Sequence, residues 1–150
     1  MFLALAPSAS AASPAPAPET LPELARAAAA TVDAFHAALR RGDSGSALAL
    51  VADDAIVFED GRVERTKAEY ALHHAGADAA FSKAVTTKRL SRTGQATADL
   101  ALIASESRTK GRFRGQDVDR IMVETMVLRR DSAGWRIVHI HWSSAQPSTE

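Results

Sequence analysis

Near Lys83 the hydrophobic period of this chain changes from mainly helical to two, and that change limits the fold more than any single motif. Before it, apolar residues recur every three or four positions, as on an amphipathic helix. After it they alternate with polar residues, as on a half-buried strand. Leu24, Ala28, Val32, Phe35 and Leu39 make one helical stripe, and Arg40, Arg41 and Gly42 suit the negative end and C-cap of that helix. Thr20-Leu21-Pro22-Glu23 has the form of a capping box in front of it. Asp43 or Ser44 can cap a second, short helix that runs to Val51. Residues 55–59 read as a strand, Asp60-Gly61 as a hairpin turn and 62–65 as the return. Thr66-Lys67-Ala68-Glu69 repeats the capping box and opens a third helix to about Lys83, with Tyr70, His74, Ala77 and Phe81 inward.

Past Lys83 the alternation predicts strands at 85–92, 97–108, 118–130 and 135–144, with turns at Gly94-Gln95, 110–117 and 131–134. Three helices, a small hairpin and a four-stranded antiparallel meander form an α+β layer structure. Residues 20–145 form this domain, and 146–150 read as a tail. Residues 1–19 are Ala/Pro-rich and unsuited to a core. They read either as the remnant of a secretory signal, which implies a periplasmic or secreted protein, or as a disordered tail on a cytoplasmic one.

Lysine plus arginine (18) equals aspartate plus glutamate (18), so no whole-protein field draws in nucleic acid. There are no cysteines, which excludes disulfides and thiolate chemistry. No run approaches the ~18 apolar residues of a membrane span.

The order of elements, together with Tyr70-Ala71-Leu72-His73-His74 on the third helix and the final strand from Trp135 to Ser144, resembles the SnoaL-like group of the nuclear transport factor 2-like superfamily. The segment from Glu124 to Asp131, followed by a turn and Trp135, also resembles the association domain of calmodulin-dependent kinase. The likeness covers roughly residues 21–144. It implies a cone, with a curved sheet wrapped around the helices, a pocket between the concave face and the third helix, and a homodimer through the outer sheet face. The superfamily holds isomerases, dehydratases, cyclases and non-catalytic binding domains, so the likeness implies a fold and not a reaction. Its ketosteroid isomerases use a carboxylate base with a tyrosine and a protonated acid. That set does not carry over here, because Tyr70 is the one tyrosine and Asp99 does not align with the acid.

Strand alternation places Ile137, His139, His141 and Ser143 on one face, and Val138, Ile140 and Trp142 on the other. If the turn at 131–134 pairs Arg130 with Trp135, then Met126 faces His139 and Glu124 faces His141. A carboxylate at that position would fix the histidine's tautomer and favour its charged form. The candidate catalytic residues are therefore His139, His141 and Glu124, with Glu59, Tyr70, His74 and Met126 lining a ligand pocket. The histidines could equally be structural. A zinc site would need His74, His139 and His141 to meet one carboxylate, and no compact ligand motif is present, so neither metal nor cofactor is expected. Ser143-Ser144 lacks the Gly-x-Ser-x-Gly context of a nucleophile. Arg108, Lys110, Arg112 and Arg114 read as a solvated hairpin tip. Trp142, Val138 and Ile140 would give an apolar outer face suited to a homodimer.

Two functions fit. One is a small-molecule-binding and dimerisation module. The other is a cofactor-independent acid/base enzyme of isomerase, cyclase or dehydratase type, acting on a small apolar or carbonyl-bearing substrate.

Overall fold

The computed structural model describes residues 21–148. The leader or tail expected at 1–19 and the Thr20 half of the first capping box lie outside the described residues.

Helix α1 (Glu23–Arg40) starts from Pro22, whose side chain makes no cap bond. Its buried stripe begins at Ala25, not Leu24, and continues through Ala28, Val32, Phe35 and Leu39, while Leu24 is exposed. Asp43 caps α2 (Ser44–Leu48) by accepting from Ser46 N at 2.9 Å. Val51, expected to end that helix, instead opens β1 (Val51–Glu59). At the next turn Asp60 and Gly61 both take positive φ, 46° and 80°, and β2 (Arg62–Glu64) returns. The second capping box forms: Thr66 Oγ1 accepts from Glu69 N at 3.1 Å, and Glu69 Oε2 accepts from Arg65 N at 2.7 Å. The helix it opens is broken at His74 into α3 (Lys67–His73) and α4 (Ala75–Ala84).

The meander consists of β3 (Val85–Ala96), β4 (Leu100–Phe113), β5 (Gln116–Asp131) and β6 (Gly134–Ala145). Gly94 lies within β3 and not in a turn. A Cβ there would stand 2.8 Å from Ile103 Cδ1 and from Leu21 Cδ2, so the glycine permits close packing of the sheet under the start of α1. The turn at the other end of β4 is tight, through Arg114 and Gly115, both at positive φ. Arg108 and Lys110 are consequently strand residues, and Arg108 grips Asp119 of β5 with two bonds of 2.8 Å.

The strands form one six-stranded sheet in the order β2-β1-β6-β5-β4-β3, antiparallel except for the β1–β6 pair. Helices cover its concave side, and the core between them includes Phe35, Tyr70, Ile103, Met126, Leu128 and Ile140. Among the described residues no helix is long and apolar enough to cross a membrane.

Two one-residue irregularities decide which side chains face inward. In β3, Arg89 pairs with Ser107 and Ser91 with Glu106, leaving Leu90 as the extra residue. In β6, Ile137 pairs with Leu128 and His139 with Val127, leaving Val138 extra. Each bulge reverses the alternation beyond it.

Candidate functional site

At the open end of the cone a cavity of about 470 Å³ lies between α1, α4 and the inner face of the sheet. It continues into a second space of about 560 Å³ under the β4–β5 turn, the two sharing Glu59, Asp78, Phe81 and Met122. Phe81 and Phe113 meet edge-on over this second space, with ring centroids 5.3 Å apart.

The shared wall is acidic. Ala55, Val57 and Glu59 follow each other on the inward face of β1, so the strand that begins in the core ends with a carboxylate in the cavity. Asp78 projects from α4, and the Tyr70 hydroxyl donates to its Oδ2 at 2.8 Å. His74, at the break between α3 and α4, pairs through Nδ1 with Glu64 Oε1. Burial, reinforced by the charge of Asp78 and opposed by that of His74, pushes the Glu59 carboxyl up to about 7. Burial also raises Asp78, against the Tyr70 hydrogen bond and the charge of His74. Tyr70 is raised by its own burial and then by the charge of Asp78. Two neighbouring carboxylates with hindered ionisation thus open onto one cavity.

A second polar group stands deeper. Glu124 is buried, and its Oε2 accepts from His36 Nε2 and from Trp142 Nε1, both at 2.7 Å. Burial opposes its ionisation, but the charge and hydrogen bond of His36, helped by Trp142 and by the charge of Arg92, hold the carboxyl below its usual range. Its Oε1 is buried without a hydrogen-bond partner among the described residues.

The outer rim is basic and rich in hydroxyls. Because of the extra residue at Leu90, Arg89 and Arg92 both turn inward, and both donate to Asp33 Oδ1, at 3.1 and 2.9 Å. Arg92 also donates through Nε to Ser105 Oγ at 3.1 Å. Ser105, Ser107 and Thr109 occupy successive inward positions of β4, and Thr109 shares a 2.9 Å hydrogen bond with Thr87. Asp33, His36 and Arg40 follow one another at helical spacing along the edge of α1 that looks into the cavity.

Of the residues expected from sequence, Glu59, His74 and Glu124 line this cavity system. Tyr70 is fully buried behind it and reaches it through Asp78. The expected placement of His139 and His141 is corrected. Both project from the outer face, where Phe58 packs edge-on against them with centroids at 5.0 and 6.0 Å, and His139 Nδ1 lies 3.0 Å from Ile56 O. The Val138 bulge is the cause. Beyond it Ile140 and Trp142 turn inward, so the expected apolar outer face of Trp142, Val138 and Ile140 is not formed either. Glu124 therefore faces Trp142 and not His141. Met126 faces Ile140 and is fully buried in the core, while Met122, nearer the open end, takes the position at the cavity. His74 lies across the sheet from His139 and His141, so no set of three histidines assembles.

Asp33, His36 and Arg92 were not singled out from sequence. A signal existed for α1, because residues at 33, 36 and 40 flank the apolar stripe. None existed for Arg92, whose direction depends on the bulge.

The family model described as the SnoaL-like domain matches residues 28–147. The chain belongs to the SnoaL-like family. Among solved structures, this SnoaL-like chain is similar to a candidate ketosteroid isomerase from Shewanella frigidimarina, with 35% identity over 83% of this chain and 100% of that one, at a TM-score of 0.76. It shares its fold with a candidate dehydratase of the NTF2-like family from Streptomyces avermitilis (21% identity, 81% and 96% coverage, TM-score 0.70). It also shares its fold with a candidate calcium/calmodulin-dependent protein kinase II association domain from Xanthomonas campestris (21% identity, 83% and 89% coverage, TM-score 0.68). Among curated proteins, none matches the chain.

Proposed function

We propose that this SnoaL-like domain binds a small molecule in its cone and moves a proton on it, with Glu59 as the base and Asp78, whose carboxylate accepts from Tyr70, as the neighbouring charge that raises it. One observation carries the reading: Glu59 and Asp78 open onto the same cavity beside each other, and the Tyr70 hydroxyl is anchored to Asp78 at 2.8 Å. Burial that moves Glu59 to about 7 matches a base to neutral solution. The similarity to a candidate ketosteroid isomerase and a candidate dehydratase agrees with carbon-acid chemistry.

The test is deuterium incorporation, followed by proton NMR in D₂O, into a panel of small carbonyl compounds with acidic α C–H bonds. The wild-type chain is expected to catalyse exchange, with a rate that rises through about pH 7 and falls at least ~100-fold in Glu59→Gln. Binding of the panel with no exchange would leave the domain a ligand-binding module.

A second observation favours a homodimer through the outer sheet face. Ile56 and Phe58 of β1, Val123 of β5 and Leu102 of β4 all point outward and are 38–44% exposed. With His139 and His141 between them they form an apolar band across neighbouring strands, the kind of surface that association covers.

A further inference from the structure

The rim opposite Glu59 and Asp78 has a chemistry of its own. Arg92 is the most enclosed cation of the cavity, with its side chain 2% exposed. Its Nε donates to Ser105 and its Nη1 to Asp33, and among the described residues no acceptor takes the hydrogens of Nη2. Those donors are not enclosed by the protein and open to the cavity that Arg92 lines, where an acceptor on a ligand can take the place of water. Asp33 is a poor sole counter-ion, because its side chain is 54% exposed and receives Arg89 as well. The other ionised carboxylate nearby, Glu124, is already engaged by His36. Arg40 adds a further cation at the mouth. Among the described residues, and with Arg89 left aside, the rim therefore carries more positive than negative charge, in a recess that the hydroxyls of Ser105, Ser107 and Thr109 share.

We propose that the cavity selects small carboxylic acids, with the ligand's carboxylate held by Arg92 and the β4 hydroxyls and its other end directed to Glu59 and Asp78. The inference rests on the proton-transfer reading only for the second half of that statement. A planar guanidinium fork recognises a carboxylate with two parallel bonds, and a recess of about 470 Å³ suits a molecule of modest size. A carboxylate satisfies the open donors of Arg92, which a purely apolar molecule leaves without an acceptor.

The experiment uses the full chain and two probes of nearly equal shape, 4-hydroxybenzoate and 4-hydroxybenzamide. Binding is followed by fluorescence of Trp142, which lines the cavity, and by calorimetry. The acid is expected to bind at least ~10-fold more tightly than the amide, with an affinity that falls as salt is raised. Arg92→Met is expected to abolish that difference. If Arg92→Met does not fold, Arg92→Lys serves in its place: it keeps the charge, loses the fork and is expected to weaken acid binding ~10-fold while leaving the amide unchanged. Equal affinity for the two probes, failure of both to bind at millimolar concentration, or acid binding that survives in the Arg92 variants overturns the proposal. Acid binding with no deuterium exchange into any member of the carbonyl panel overturns the proton-transfer reading and leaves the carboxylate anchor standing. Exchange catalysed equally on neutral carbonyl compounds, with no preference for acids, does the reverse.

Discussion

Trp142 and Glu124 face each other across β6 and β5, and the indole Nε1 donates to Glu124 Oε2 at 2.7 Å. The pair exists because Val138 is an extra residue in β6; counted straight from the turn at 131–134, the partner of Glu124 would be His141. Trp142→Phe keeps an aromatic ring stacked on Phe35, now 6.2 Å away, but removes the donor. The expected cost is ~1–3 kcal/mol in urea unfolding, the penalty for depriving a buried acceptor of its partner. A variant as stable as the wild type would show that the hydrogen bond contributes nothing. Deleting Val138 is the severe form of the test. It would turn Ile140 and Trp142 out of the core, and loss of the cooperative transition is expected.

Glu59 predicts the direction of a pH effect on stability. Its carboxyl is raised from 4.5 to about 7 in the folded chain, so between those values the folded state holds a proton that the unfolded state has released. The stabilisation is full below about pH 4.5 and is lost as pH rises through about 7. Against Glu59→Gln, the wild type is expected to lose stability across that window. Parallel stability curves for the two proteins would sink the assignment.

Tyr70 predicts a shift at a different residue. Its hydrogen bond lowers the Asp78 carboxyl against the burial that raises it. Tyr70→Phe should therefore move the Asp78 midpoint upward in a ¹³C carboxyl titration, and should cost ~1 kcal/mol of stability. An unmoved Asp78 would mean that the two groups are not coupled.

The apolar band proposed for association and the cavity proposed for chemistry lie on opposite sides of the sheet. Phe58→Glu places a charge in the apolar band among His139, His141 and Val123, and in sedimentation it is expected to convert a dimer to monomers. His139→Ala and His141→Ala are expected to leave ligand binding in the cone unchanged, because both rings lie on the far side of the sheet. A ligand affinity reduced ~10-fold by either alanine would contradict that placement.

The sequence by itself determined the layer architecture, most strand positions, the Asp60-Gly61 hairpin and the second capping box. All of these rest on local chemistry: hydrophobic period, turn residues with positive φ, and side chains that cap a nearby N–H. It also pointed to Glu59, from strand alternation, and to Tyr70 and His74, although the helix expected to carry both breaks at His74 and buries Ala75 and Ala79 in place of Ala77. Tertiary structure alone decided the rest. The phase of a long strand beyond a bulge is set by which register buries more apolar surface against the helices, and no local signal at Leu90 or Val138 announces it. Those two residues put Arg92 and Trp142 inside and His139 and His141 outside. The pairing of His36 with Glu124, 88 positions apart, likewise required α1 to lie across β5 before either residue had a partner.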